Sequence, residues 1–152
     1  MANFEDAVEK TLENEGGYVD DPKDPGGETK YGISKSSYPN VDIKNLTKEQ
    51  AKDIYRNDFW MFDGIRSQPV ATKLFDAYVN EGRLAIRWAQ YVSGVSVDGF
   101  YGTITEKAIN AMDEVVFMVQ FRQTWVNHII DLAESKPSMA KFVDGLLRRA
   151  RQ

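Results

Sequence analysis

The stretch ENEGGYVDDPKDPGGETKYGIS, Glu13 to Ser34, decides how this chain is read. Six carboxylates (Glu13, Glu15, Asp20, Asp21, Asp24 and Glu28) fall within it, among glycines and prolines that forbid a long helix. Just before it, Phe4, Ala7, Val8, Thr11 and Leu12 recur at three-and-four spacing, which predicts a helix over residues 3–15, ended by Gly16-Gly17. Glu15 continues that apolar stripe, whereas Glu13 is turned about 200° from it and faces solvent. Burial and the negative end of the helix dipole both favour a Glu15 that keeps its proton, which is what a general acid requires. The same geometry suits a half-buried glutamate paired with a Lys or Arg, and helix phase alone leaves both readings open.

After the glycines, "YVD" and "TKYGI" are the strand-like pieces, and they predict a small irregular β-hairpin. Asp20, Asp21, Asp24 and Glu28 are then candidates for a second carboxylate. A glycosidase needs one carboxyl group to protonate the leaving oxygen and another to stabilise positive charge or activate water. Most of these acids must nonetheless be solvated turn residues.

Downstream the pattern is helical. "TKEQ" at Thr47–Gln50 has the form of a capping box opening a helix to about Asp58. Pro69 to Gly82 and Leu84 to Ser93 read as two more helices, and "TITE" at Thr103–Glu106 as a second capping box. Val115 to Ala133 begins apolar on nearly all sides, as expected of a helix at the centre of the core. Met139 to Arg149 places Phe142, Val143, Leu146 and Leu147 on one face, and the basic tail RRARQ reads as cations complementing a helix C-terminus. The expected architecture is mainly α, with a hairpin lobe after the first helix packed against a helical lobe. A single domain is expected over residues 1–152, divided into 1–66 and 67–152.

Composition narrows the chemistry. A net charge of −4 with scattered Lys and Arg argues against nucleic acid. One His and no Cys leave too few ligands for a zinc hydrolase, and neither metal nor cofactor is expected. No apolar run is long enough to span a bilayer, and the acidic start MANFEDAVEK is unlike a signal peptide, so neither membrane insertion nor export by a leader is expected. His128, three residues after Trp125 on an apolar helix, reads as a core histidine, and Trp60 and Trp125 as core aromatics.

The opening stretch closely resembles the E-G-G-Y motif of the glycoside hydrolase family 108 lysozymes. The resemblance continues through DIKNLTKEQAKDIYRNDFW and FDAYVNEGRLAIRWAQYVSGVSVDGFYGTITEKAI, the latter similar to the family's C-terminal peptidoglycan-binding region. It implies an α+β lysozyme-like fold and a phage-type endolysin that hydrolyses the β-1,4 bond between N-acetylmuramic acid and N-acetylglucosamine. Glu15, the glutamate of E-G-G-Y, is then the general acid. Asp24 follows after eight residues and is the implied second carboxylate, with Asp20 as its rival; Thr29 lies one residue closer to Asp24 than the commoner spacing. Tyr18, Asp20, Tyr31, Asp76 and Asn80 are implied contacts to the glycan, the last two on one side of a helix. A monomer made in the host cytoplasm, reaching the wall through a separate holin-type pore, is the implied setting, with peptidoglycan strands as partner. Two alternatives are a lytic transglycosylase using Glu15 alone and a non-catalytic wall-binding module.

Overall fold

A computed structural model describes all residues, 1–152. Asn3 caps the first helix, α1 (Phe4–Asn14), by accepting from the Glu5 N–H at 2.8 Å, and the face bearing Phe4, Ala7, Val8, Thr11 and Leu12 is buried. The expected hairpin is instead a three-stranded antiparallel sheet: β1 (Val19–Asp20), β2 (Glu28–Lys30) and β3 (Ile33–Ser34), in that order. Val19 pairs with Thr29, and Thr29 with Ser34, so these three share one face. "TKYGI" is split because Tyr31 and Gly32 both take positive φ, 52° and 77°, as a two-residue hairpin turn of the I′ kind requires.

Helix α2 (Lys48–Asp58) opens with the full capping box: Thr47 Oγ1 accepts from Gln50 N–H, and Gln50 Oε1 from Thr47 N–H. Lys48, Lys52 and Arg56 reach Glu5 and Glu9 of α1 at 2.5–3.2 Å, tying the two helices along their solvent side. Helices α3 (Gln68–Glu81) and α4 (Arg83–Ser93) follow, and α3 is the main packing partner of α1. Phe4, Trp60, Tyr55 and Phe75 meet edge-on in the wedge between α1, α2 and α3, with ring centroids 5.5–6.1 Å apart.

The second expected capping box is absent. Gly102, not Thr103, occupies the N-cap of α5 (Thr103–Ala111), and no side chain caps it. Glu106 is drawn off to accept from the Tyr101 hydroxyl at 3.0 Å, over Gly64, where any β-carbon would collide with it. The loop entering α5 is instead stapled by buried Gln90, whose amide donates to Asp98, the Phe100 carbonyl and Thr105 and accepts from the Asp98 and Gly99 N–H groups.

Helix α6 (Glu114–Ser135) also departs from expectation at its start. Val115 and Val119 are 67% and 59% exposed, while Phe117, Met118, Phe121, Trp125 and Ile129 are buried. Its first turns are therefore amphipathic at the edge of the molecule, because only one face meets α4 and α7. A 3₁₀ turn (Pro137–Phe142) leads into α7 (Val143–Arg151), whose Ala150 is fully buried. One continuous hydrophobic cluster runs from Phe4 to Ala150.

Candidate active site

Glu15 is the C-cap of α1, its N–H bonded to the Thr11 carbonyl at 3.1 Å, which keeps it on the Thr11 side of the helix. Its side chain is 20% exposed, and Oε1 accepts from Arg149 Nη2 at 2.8 Å. Of the two environments open to Glu15, the structure supplies the pairing with a cation. That guanidinium also forks onto Asp76, Nε to Oδ2 at 3.1 Å and Nη2 to Oδ1 at 3.0 Å. Asp76 is 3% exposed and accepts further from Thr11 Oγ1 and Asn14 Nδ2. Burial works against the Arg149 charge, but Asp76 and then Glu15 outweigh it, and the guanidinium is held firmly protonated.

The β2–β3 turn closes on Glu15 from the other side. A β-carbon at Gly32 would lie 2.9 Å from Glu15 Cδ and would collide with the Tyr55 hydroxyl, so only glycine fits, by contact as well as by φ. Tyr55 Oη donates to the Tyr31 carbonyl at 2.7 Å and pins the turn. Burial, with the Glu15 charge second, pushes the Tyr55 phenol up, so it remains a neutral donor. A cavity of about 390 Å³ opens beside this turn, lined by Gly32, Ser34, Tyr38, Tyr55, Asp58 and Phe59.

The remaining expected site residues divide between sheet and helix. Asp24 is exposed, and its Oδ1 accepts from the Gly26 N–H at 2.8 Å, an Asx turn. A β-carbon at Gly26 would sit 3.2 Å from that oxygen and 3.8 Å from Ser34 Cβ, which puts the carboxylate beside the sheet face carrying Ser34 and Thr29. Thr29 is half-buried in the central strand. Asp20 is exposed and stands directly across the ladder from Glu28, an acidic pair at the sheet's rim. The Tyr18 hydroxyl donates to Glu28 at 2.8 Å, and that bond pushes its pKa up to about 12. Tyr31 serves through its backbone, its ring lying under Lys30.

Asp76, expected as a glycan contact, is buried and accepts from Thr11, Asn14 and Arg149, so in this structure it anchors Arg149. Asn80, one turn further along α3, is exposed to a fair degree and makes no side-chain hydrogen bond within the protein. His128 is away from Glu15, against Trp88 and 4.0 Å from Glu81. No group of three or more His, Asp or Glu side chains is arranged to hold a metal ion.

Arg149, Gly32 and Tyr55 went unnoticed in the sequence. The φ demand of the turn had a signal, a Tyr-Gly pair inside a strand-like run. Arg149 had none, since basic residues at the end of a helix are ordinary.

The inward glutamate at a helix end, the glycine turn pressed on it and the acidic hairpin all lie in the part of the chain that a known family model matches. Residues 8–82 match the family model of glycosyl hydrolase 108. The match takes in Glu15, the whole sheet, Tyr55, Asp76 and Asn80, just under half of the chain, and stops before Arg149. Similarity to the solved structure of Brucella abortus SagA extends over 97% of this chain and 92% of that one, with a TM-score of 0.74 and 29% identity. The fold is thus α+β and lysozyme-like, and the two comparisons together support a lysozyme-like glycosyl hydrolase. A stretch of 82 residues is also 28% identical to a calcineurin subunit of Schizosaccharomyces pombe, 49% of this chain and 47% of that protein. The chain therefore spans about half the length of that curated relative.

Proposed function

We propose that the protein hydrolyses the β-1,4 bond between N-acetylmuramic acid and N-acetylglucosamine in peptidoglycan. The observation that carries this reading is the position of Glu15, a partly buried carboxyl group at the end of α1 pressed by the Gly32 turn, within the segment matched to glycosyl hydrolase 108. Glu15 is the proton donor to the leaving oxygen. Asp24, whose second carboxylate oxygen has no protein partner, stabilises the oxocarbenium-like sugar or positions water, with Thr29 on the same sheet face and Asp20 as its rival. Asn80, Tyr18 and Tyr31 are the proposed glycan contacts. We place the activity in a phage-type endolysin, monomeric and dependent on a separate holin-type pore to reach the wall from the host cytoplasm.

Glu15→Gln keeps shape and hydrogen bonding but has no proton to give, and should slow clearing of a peptidoglycan suspension by about 10²–10⁴-fold. Clearing at the wild-type rate by a folded Glu15→Gln protein would sink the assignment. One observation favours a second reading: Asp24 already serves a turn, so a lytic transglycosylase working with Glu15 alone is the rival. Mass spectrometry of the released muropeptides decides, because hydrolysis adds water and transglycosylation leaves an anhydro end.

A further inference from the structure

A cavity of about 330 Å³ lies among α1, α3, α6 and the end of α7, and neither Glu15 nor the sheet lines it. Its walls bring Lys73 and Arg122 against Asp76, which Arg149 already neutralises, while Lys10 at the rim is paired with Glu13 at 3.5 Å. Lys73 is 5% exposed, and its ammonium makes a single hydrogen bond, to the Arg149 carbonyl at 2.9 Å, while resting 4.7 Å above the Trp125 ring. An ammonium carries three N–H donors, so two are left without a protein acceptor. Arg122 donates from Nη2 to the main-chain oxygen of Gln152 at 2.6 Å, but its Nε–H is buried with no partner. Buried donors are normally satisfied, and the spare donors of two like charges, Lys73 and Arg122, on one space call for an acceptor that also brings negative charge. Pro69, Met118 and the methylene stems of Lys10 and Lys73 supply the apolar remainder of the wall.

We infer that this cavity is a binding site for a small oxyanion, held by Lys73 and Arg122, with room for a short aliphatic stem beside Met118 and Pro69. The inference does not rest on the hydrolase reading; Asp76 and the Arg149 carbonyl are what join the cavity wall to the network around Glu15. The charge balance around Lys73 agrees: burial pushes its pKa down to about 8, Asp76 pulls it back, and Arg122, Arg149 and Lys10 push it further down. A bound anion would offset those cations and keep Lys73 protonated, so binding should weaken as pH rises past 8.

The whole chain, titrated calorimetrically with glutarate and separately with inorganic phosphate in a chloride buffer of constant ionic strength, tests the site without any activity assay. Saturable one-to-one binding of either probe is expected, with the tighter probe identifying the headgroup. Arg122→Gln and Lys73→Met should each weaken it by at least about tenfold, as loss of a charge-assisted hydrogen bond does. Arg122→Gln carries the test by itself if Lys73→Met fails to fold. No saturation by either probe up to on the order of 10 mM, corresponding to affinities too weak to be specific, would overturn the inference. So would equal binding by wild type and a folded Arg122→Gln protein.

Discussion

Arg149 Nη2 stands 2.8 Å from Glu15 Oε1 across 134 residues of sequence. The same guanidinium is forked onto Asp76, itself held by Thr11 and Asn14 of α1. Glu15 is therefore fixed through a cation that is itself fixed, with side-chain exposures of 13% for Arg149 and 5% for Asp76. Removing one member of such a pair leaves a buried charge uncompensated. Arg149→Ala should cost about 3–5 kcal/mol in urea unfolding. Arg149→Lys should lose less stability, yet it cannot fork onto Asp76 and touch Glu15 together, and should retain only a small part of the activity.

Gly32 and Gly27 both have positive φ, 77° and 70°, but only Gly32 is pressed on its neighbours. Gly27→Ala should cost about 1–2 kcal/mol, the left-handed penalty alone. Gly32→Ala adds a clash with Glu15 and Tyr55, and should exceed Gly27→Ala in stability loss and abolish activity even where the protein still folds. Equal effects of the two substitutions, measured by thermal unfolding and wall clearing, would show that contact with Glu15 is not what Gly32 serves.

Tyr55→Phe removes the bond that pins the Tyr31 carbonyl and leaves that acceptor short of a donor in the interior. A loss of about 1–3 kcal/mol is expected. Because the turn rests on Glu15, activity should fall as well, whereas Tyr101→Phe, at the remote Glu106 contact, should lower stability with no change in turnover.

Stability should depend on pH in a way set by Lys73. Its folded pKa of about 8 lies below the ordinary lysine value of 10.5, so between these values the unfolded chain binds the extra proton. Stability then rises with pH through that window, and the penalty of a buried ammonium is fully present below about 8. Tyr38, Tyr55 and Tyr101 have raised pKa values, all with burial as the largest cause, so above the ordinary tyrosine value of 10.0 the unfolded chain releases protons that the folded one keeps. A group that holds its proton longer when folded loses it first in the unfolded chain, so stability should fall as pH rises above 10.0, while these phenols are ionised in the unfolded chain and still neutral in the folded one. The shift of Lys73 opens its window from about 8, below the ordinary tyrosine value of 10.0, so isothermal denaturant titrations between about 8 and 10 should show the rise ahead of the tyrosine effect. Lys73→Met should flatten that rise.

What could be read from the sequence was local. The phase of α1 turned Glu15 inward, and Thr47 and Gln50 formed the box their spacing announced, because both depend on residues a turn apart. Where a distant partner competes, the same reasoning fails. Glu106 had the right spacing from Thr103 but found Tyr101 and Gly64, and the valines at the start of α6 had no packing partner on one side. The Tyr31-Gly32 turn was hidden because alternation across it looks like uninterrupted strand. Asp76 was placed on the correct helix face but faces Arg149, a partner that helix phase has no means of naming.

The origin of Arg149 in α7 also sets an order of events. Glu15 leaves the ribosome 134 residues before its counter-charge. Until α7 docks, Glu15 and Asp76 lack the guanidinium that bridges them. The segment matched to the family model therefore lacks, by itself, the guanidinium that bridges Glu15 and Asp76, and the nascent chain assembles that three-residue cluster only once α7 is in place.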